Sequence, residues 1–264
     1  KITDTREYSV AQYCYHALLS GQIADSLRRL LVDTLNFGAA SQLYRNADIT
    51  AEALVNADLT AEQRSWGTTG ELRNLTSCRS AGNNYGSVIW HGVSMLMDNQ
   101  IQMRVYFFAS DISGLSIKAQ SDSAEWTLTG DDIKTKNDMF YVDFGGLNPT
   151  QMDEEICFTA IRNNIDVSST LHYSVESYAA IMLENNDTSA ELKELLKSMI
   201  QYGDSAKAYS NIVYDLKSDV RYFGRTYEAD GVYWFNWSSA GFDVRFQGSG
   251  LKAKIASERP TRSS

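Results

Sequence analysis

The sequence predicts an α+β fold: an antiparallel β-sandwich of about seven strands, flanked by two repeated antiparallel helix hairpins and followed by a short trailing β segment. Two observations support this prediction: a gap-free internal repeat with helical periodicity, and a block of period-two alternation between its copies. The 264 residues suffice for about two domains. The predicted segments are a first hairpin at 1–45 preceded by the tail of a strand, a connecting segment at 46–86, the sandwich at 87–173, a second hairpin at 174–209 and the trailing segment at 210–264.

The internal repeat relates residues 5–44 to residues 170–209 at a constant offset (170 − 5 = 165), with eleven identical positions. Apolar residues recur at helical spacing in both copies, with a break at Ser20-Gly21 in the first and at Asn185-Asn186-Asp187 in the second. Each copy therefore predicts two amphipathic helices joined by a short loop, which form an antiparallel hairpin. A hairpin cannot bury both apolar stripes by itself, so we expect each copy to dock on the sandwich between them.

Two local signals refine the hairpins. Thr188 and Glu191 stand three residues apart before an apolar stripe, which predicts a capping box at the start of the last helix. Gly38 and Gly203 occupy equivalent positions inside a helical pattern, where glycine costs about 1 kcal/mol relative to alanine. Their recurrence predicts a close approach of the helix backbone to an aromatic side chain or to a crossing helix.

Between the copies the chain alternates with a period of two and is divided by turn signals such as Asn163-Asn164. Short antiparallel strands at this spacing are typical of a β-sandwich. A helical turn is predicted at 61–66, and three or four strands are predicted in the trailing segment. The predicted sandwich strands are Val88–Met97, Ile101–Ala109, Leu115–Ala119, Trp126–Thr129, Met139–Phe144, Ile156–Ile161 and Val167–Tyr173.

Charge and hydropathy exclude several classes of function. A net charge of −9 leaves no basic stripe to neutralise phosphates, which argues against nucleic acid and against anionic membrane surfaces as partners. No apolar run approaches the roughly 20 residues of a membrane span, so we expect no membrane insertion. The chain opens on Lys1-Ile2-Thr3-Asp4, which is typical of the end of a strand. We therefore expect a piece of a longer protein.

Residues with metal-binding or nucleophilic chemistry form no recognisable motif. The three cysteines are an odd number, and Cys14 and Cys157 lie in apolar patterns, which predicts buried free thiols. The acidic run Asp153-Glu154-Glu155 predicts a solvated turn, because its spacing fits neither a calcium loop nor a glycosidase pair. No Cys, His or Glu cluster is expected near a histidine, so the sequence predicts no metal site and no cofactor. The remaining cysteine and the histidines are Cys78, His16, His91 and His172.

Aromatic residues are the candidate ligand-binding groups. Tyr233, Trp234, Phe235 and Trp237 cluster within five residues, and Trp66 lies in a predicted loop region. In a strand Tyr233, Phe235 and Trp237 share one face and Trp234 the other. One of the two sets is then expected to pack in a core. The alternative is a platform on which sugar rings stack, for which Tyr233, Trp234, Trp237 and Trp66 are the candidates.

Several segments of the first 209 residues resemble a module of very long surface proteins of gut Firmicutes of the Clostridia type. The resemblance implies a location at the cell surface and no established activity. The segments are Val10-Ala11-Gln12-Tyr13-Cys14, Leu35-Asn36-Phe37-Gly38-Ala39-Ala40, Asn56-Ala57-Asp58-Leu59, Ile112-Ser113-Gly114-Leu115 and Met199-Ile200-Gln201-Tyr202-Gly203-Asp204-Ser205-Ala206.

The tail resembles the opening strands of the jelly-roll domain that precedes SGNH-type carbohydrate esterases, similar to carbohydrate esterase family 2. The rest of that jelly roll and the hydrolase domain are missing from the chain. Gly203-Asp204-Ser205 matches the nucleophile block of these esterases, but it falls in a helical pattern and lacks a suitably placed histidine, so no catalytic residue is predicted. The resembling segments are Gly224-Arg225-Thr226, Trp234-Phe235-Asn236-Trp237-Ser238, Gly241-Phe242 and Arg245-Phe246-Gln247-Gly248.

These observations favour a non-catalytic structural or adhesive module of an exported bacterial cell-surface protein. Its expected partners are the neighbouring domains of the same long polypeptide and, through weak binding, a polysaccharide or a host or plant glycan. The alternative is an accessory N-terminal region of a carbohydrate esterase that acts on acetylated polysaccharides through a domain absent here.

Overall fold

The computed structural model describes residues 9–20, 23–46, 48–75, 85–97, 100–122, 124–210, 220–224, 226–229, 232–235 and 241–244. The chain divides into two compact units, residues 1–209 and residues 210–264. Helices and antiparallel sheets both contribute to the first unit, which confirms the predicted α+β fold class. No helix among the described residues combines the length and the apolar composition that a membrane span requires.

Both hairpins form, and their helices begin and end at equivalent positions. Helix α1 spans Val10–Leu19 and α2 spans Asp25–Arg45 in the first hairpin. A short helix α3, Ala61–Ser65, follows at the predicted helical turn. In the second hairpin α4 spans Val175–Glu184 and α5 spans Ala190–Ser210. The offset of 165 holds at all four pairs of ends (175 − 10, 184 − 19, 190 − 25 and 210 − 45).

Two antiparallel sheets lie between the hairpins in sequence. The strands are β1 Val88–Met97, β2 Ile101–Ala109, β3 Leu115–Gln120, β4 Glu125–Leu128, β5 Lys134–Lys136, β6 Met139–Phe144, β7 Ile156–Arg162, β8 Ile165–Asp166 and β9 Leu171–Tyr173. The strand order is β1-β2-β6-β5 in one sheet and β4-β3-β7-β8 in the other, where β9 also pairs with β7. Asn137 and Asp138, and likewise Asn163 and Asn164, have positive φ, which is the backbone of a tight two-residue hairpin turn.

The predicted strand Val167–Tyr173 is wrong in its first half. Ser168 and Ser169 are buried in the segment between β8 and β9. The Ser168 hydroxyl accepts from the Ala160 amide (2.9 Å) and donates to the Ser169 carbonyl (2.8 Å). The indole of Trp90 also donates to the Ser169 carbonyl (2.7 Å). A serine hydroxyl therefore takes the place of one ladder bond, whereas the Val167 amide still donates to the Ala160 carbonyl (2.8 Å). Strand β5 was not predicted, because its three exposed residues carry no apolar alternation.

The main hydrophobic core lies between the two sheets and extends under the second hairpin. Val175, Ala179, Leu196, Met199 and Ile200 of that hairpin join one buried cluster with the inward-facing strand residues. The prediction that the second hairpin docks on the sandwich is therefore confirmed. The largest fully buried strand residues are Phe107, Phe144, Phe158, Met103, Ile117 and Ile156.

The first hairpin buries its apolar stripe mainly on the connecting segment, which differs from the prediction that both hairpins dock on the sandwich. Leu59 is buried in one cluster with α1 and α2, and Val55 and Trp66 pack against it. The Tyr15 hydroxyl donates to the Val55 carbonyl (3.0 Å). The segment after α2 thus covers a surface that the sequence pattern had assigned to the sandwich.

The two hairpins meet through equivalent residues. Phe37 of α2 and Tyr202 of α5 occupy the same position in the repeat (37 + 165 = 202), and their rings stack with centroids 5.6 Å apart and planes 7° from parallel. A residue that contacts its own equivalent is the signature of a two-fold interface. The long helices of the two copies therefore contact each other at a shared repeat position.

The recurring glycines admit close neighbours, as predicted, but the neighbours are neither aromatic side chains nor crossing helices. A Cβ at Gly203 would lie 2.7 Å from Met152 Sδ and 2.9 Å from the Pro149 carbonyl oxygen. A Cβ at Gly38 would lie 3.3 Å from Cγ2 of Val55. Val55 follows a 3₁₀ turn, Ala51–Ala53, and Met152 follows another, Pro149–Gln151.

The cap of α5 is Ser189, one residue later than predicted. The Ser189 hydroxyl accepts from the Leu192 amide (3.3 Å), and the Ser189 carbonyl accepts the Lys193 amide (3.0 Å). The Glu191 amide and the Ser189 hydroxyl donate to the Glu191 carboxylate and lower its pKa. The Thr188 hydroxyl is instead buried, without a hydrogen-bond partner among the described residues.

The second unit contains four short described strands. Strand β10 (Val220–Phe223) pairs with β13 (Gly241–Val244), and β11 (Thr226–Ala229) pairs with β12 (Val232–Phe235). The predicted trailing strands near these positions are confirmed. The predicted strand at 248–255 lies outside the described residues.

The two glycines should respond differently to alanine. A Gly→Ala change inside a helix stabilises the helix by about 1 kcal/mol. At position 38 the added methyl group requires Val55 to move by only tenths of an ångström, so Gly38→Ala should be neutral or slightly stabilising. Gly203→Ala forces a methyl against a backbone carbonyl and should lower the free energy of unfolding by about 1–2 kcal/mol net. Urea unfolding measures both, and a Gly203→Ala variant as stable as Gly38→Ala would contradict the assigned packing.

Candidate functional site

The aromatic cluster of the second unit divides between two strand faces, as the sequence predicts. Tyr233 stacks on Tyr222, with centroids 4.3 Å apart and planes 3° from parallel. Trp234, on the alternate face, stacks with its cross-strand partner Tyr227, with centroids 6.1 Å apart and planes 10° from parallel. Tyr227 is 59% exposed. Sequence reasoning had missed Tyr227, and the candidate Trp237 lies outside the described residues.

Trp66 has a packing role. It ends α3 and packs against the buried cluster of the first hairpin. The Arg28 guanidinium carbon lies 5.3 Å from its ring centroid, within the range of a cation–π contact. A ring face covered by an arginine is not open to a sugar, which disfavours Trp66 as part of a glycan platform.

The Gly203-Asp204-Ser205 sequence lies inside α5, as its helical pattern predicts. The buried Ser205 hydroxyl donates to the Asp33 carboxylate. The same carboxylate accepts from the Thr68 amide (2.8 Å) and from the Thr68 hydroxyl (2.7 Å). Asp33 belongs to the first copy of the repeat and Ser205 to the second. The serine therefore joins the two hairpins, and its hydroxyl faces a carboxylate where a nucleophile would face an imidazole.

Asp204 takes part in a second link between segments. Arg73 binds the buried carboxylate of Glu176 through two nitrogens (2.8 and 2.9 Å) and binds Asp204 as well (3.0 Å). Hydrogen bonds to Glu176 and then to Asp204 raise the pKa of Arg73, so the guanidinium is permanently charged. The adjacent concavity, which Met152 and Gly203 line, has a cavity volume of about 10 Å³. It has room for about one water molecule, which is too little for a small-molecule ligand.

One cluster of reactive side chains stands on the outer face of the second sheet. Cys157 of β7 is the direct cross-strand partner of His172 of β9. Glu155 precedes Cys157 by two residues and therefore points to the same face. The alternate residues Ile156 and Phe158 are buried in the core. The strand period thus fixes a carboxylate, a thiol and an imidazole side by side above a rigid layer.

The three side chains are in mutual contact. His172 Nδ1 lies 2.7 Å from Glu155 Oε1 and 3.4 Å from Cys157 Sγ, and the sulfur lies 3.6 Å from the same carboxylate oxygen. The side chains of Glu155 and His172 are 42% and 38% exposed, and Cys157 is half-buried. The cluster is therefore open to solutes, in contrast to Cys14, whose thiol is buried and whose pKa is raised by that burial.

This arrangement does not fit a cysteine–histidine nucleophile. Catalytic pairs use one imidazole nitrogen for the thiol and the other for an orienting group. Here the thiol and the carboxylate both contact Nδ1 of His172. Strand β7 is also paired on both sides, with β3 and with β9, so the ladders occupy its amides. The three contacting atoms are a sulfur, a nitrogen and a carboxylate oxygen, which are also the atom types that bind transition metals.

The cluster corrects three predictions. His172 does lie beside a Cys and a Glu, Cys157 is half-buried rather than buried, and Glu155 belongs to this cluster rather than only to a solvated turn. The pair Glu155 and Cys157 was visible as an i, i+2 pattern in a strand. The contact with His172 depends on the register between β7 and β9, which the sequence alone does not define.

Comparison of the chain with protein-family models, with curated proteins and with solved structures finds no match. Any statement on function therefore rests on the residues of this chain and on their arrangement.

Removing the Ser205 hydroxyl should destabilise the first unit. Ser205→Ala takes one of three donors from a buried carboxylate, which costs about 1–3 kcal/mol. Ser198→Ala is the matched control: this buried serine of the same helix donates to carbonyls of its own helix (2.8 and 3.1 Å), and its loss should cost less. Urea unfolding compares the two variants. Esterase activity that disappears only in Ser205→Ala would instead identify a nucleophile.

Proposed function

We propose that the chain is a non-catalytic structural and adhesive module of an exported bacterial cell-surface protein, in which such modules follow one another along a longer polypeptide. The observation that supports it is a difference in burial between equivalent helix ends. Val175, at the start of α4, is fully buried, whereas its equivalent Val10, at the start of α1, is 69% exposed.

The difference extends over the first turn of each helix. Ser174 and Ser177 are buried, whereas their equivalents Ser9 and Gln12 are exposed. Glu176 is buried as well, and its equivalent Ala11 is half-buried. What covers the start of α4 is the sandwich: Val175 belongs to the sandwich core, and the Glu176 amide donates to the Met152 carbonyl (2.8 Å). An exposed valine forgoes about 1.5–3 kcal/mol of burial. A sandwich docked before α1 would recover that free energy in a multi-module chain.

The adhesive part of the proposal rests on Tyr227 and Trp234. Their near-parallel rings and the exposure of Tyr227 leave aromatic surface open to solvent on one face of the β11–β12 pair. Exposed flat rings suit the apolar face of a pyranose. Accessory function beside a carbohydrate esterase rests only on the resemblance of the tail, and no described contact favours it.

A tandem chain tests the modular arrangement. A second copy of residues 85–173 placed directly before Ser9 should raise the melting temperature of the first unit and protect the amides of α1 from hydrogen exchange, because it buries Val10. Val10→Asp should then lower the melting temperature of the tandem chain and leave that of the original chain within about 1 °C, since the residue is exposed there.

Val175→Asp is the matched control, because it places a charge in a core in both chains and should destabilise both. An equally small effect of Val10→Asp in the two chains would show that the added sandwich leaves α1 uncovered. Such a result would remove the main support for the modular proposal.

Glycan binding is tested by array screening followed by titration calorimetry. Tyr227→Ala and Trp234→Ala should each weaken binding of a positive oligosaccharide by roughly 10-fold, which corresponds to about 1.4 kcal/mol. Tyr85→Ala, which removes an equally exposed tyrosine of the first unit, should leave binding unchanged. Binding that survives both substitutions in the second unit would exclude this platform.

A further inference from the structure

We propose that Glu155, Cys157 and His172 form a binding site for a thiophilic divalent cation, with Zn²⁺ as the best-fitting ion. The site supplies one sulfur, one nitrogen and one oxygen ligand and leaves a fourth position open to water. This inference is independent of the proposed structural and adhesive function, because it rests on a different part of the chain.

The separations of the ligand atoms are close to those of a tetrahedral zinc site. Zinc bonds of about 2.3 Å to sulfur and about 2.0–2.2 Å to nitrogen and oxygen imply edges of about 3.6 Å for each contact with sulfur and about 3.4 Å between nitrogen and oxygen. The two sulfur edges here are 3.4 and 3.6 Å. The third, between His172 Nδ1 and Glu155 Oε1, is 2.7 Å and has to open by about 0.7 Å as the hydrogen bond is exchanged for two metal bonds.

The donor set selects the class of ion. Thiolate and imidazole favour zinc and other late first-row metals, whereas calcium and magnesium require oxygen ligands. Three protein ligands with an open fourth position are typical of sites that keep a bound water. The carboxylate and the thiolate together offset the charge of a divalent ion, so the occupied site is close to neutral.

The scaffold holds the ligands before the ion arrives. Cys157 and His172 are fixed by the β7–β9 register, and the inward neighbours Ile156, Leu171 and Tyr173 are buried in the core. The partial exposure of Glu155 and His172 gives an ion direct access from solvent. Two ligands held by strand register, with the third moving by less than 1 Å, need little ordering on binding, which favours affinity.

Binding should also strengthen the junction between the sandwich and the second hairpin. His172 is two residues before Ser174, whose hydroxyl accepts from the Ser177 amide (3.0 Å) at the start of α4. A metal that joins β7 to β9 therefore resists separation of the strand that leads into this helix. At an ion concentration of 100 times Kd the melting temperature of the first unit should rise by about 5 °C.

The full chain, stripped of metal with a chelator under reducing conditions, is titrated with Zn²⁺ by calorimetry and with Co²⁺ by absorbance. We expect one Zn²⁺ per chain and, for Co²⁺, a thiolate charge-transfer band together with the intense visible bands of tetrahedral cobalt. Cys157→Ser and His172→Gln should each raise Kd for Zn²⁺ at least 10-fold and remove the thermal shift. Their circular dichroism and metal-free melting confirm that they fold.

Glu154→Gln and His91→Gln are the matched controls, since they change a neighbouring carboxylate and an exposed histidine of the other sheet. Both should bind Zn²⁺ as the parent chain does. The proposal is overturned if the parent chain shows no saturable binding, or if binding and the cobalt–thiolate band persist in folded Cys157→Ser. The cluster would then be a His–Glu hydrogen bond beside a thiol.

Discussion

An amphipathic helix hairpin has two apolar stripes and can bury only part of them against itself, and this constraint determines the assembly of the first unit. The second hairpin buries its stripe on the sandwich, and the first buries its stripe on the connecting segment. The two then meet through Phe37 and Tyr202. One sequence motif therefore serves in two environments, and each glycine at the equivalent position admits a different neighbour, Val55 or Met152.

Buried, hydrogen-bonded carboxylates define how the two hairpins dock, which hydrophobic burial alone does not determine. The Asp33 carboxylate is satisfied by Thr68 and Ser205, and the Glu176 carboxylate by Arg73. At the equivalent positions of the other copy stand Ser198 and Ala11, so these contacts are not part of the repeat itself. A carboxylate in a core is tolerated only with its donors in place, so a displaced hairpin would leave it unpaired. These contacts favour one docking of the hairpins over alternatives of similar apolar area.

Groups that can act on a ligand lie on outward faces. The inward faces of β7 and β9 carry apolar core residues, and the outward face carries the carboxylate, thiol and imidazole. In the second unit the same strand alternation separates Tyr233, stacked on Tyr222, from Trp234 beside the exposed Tyr227. A rigid sheet with reactive or aromatic side chains on its outward face suits binding, because the sheet itself holds these side chains in place.

The sequence by itself determined the class of fold, the two helix pairs and most strands, because helical and strand periodicities are local properties and the repeat displays each hairpin twice. It also placed Ser205 in a helix and Trp234 opposite Tyr233. Tertiary structure alone decided that the first hairpin rests on the connecting segment, that Ser169 is held by Trp90, and that Cys157 meets His172. Those contacts join residues 15 to 79 positions apart. Their existence depends on sheet register and on docking of whole elements, which no local pattern specifies.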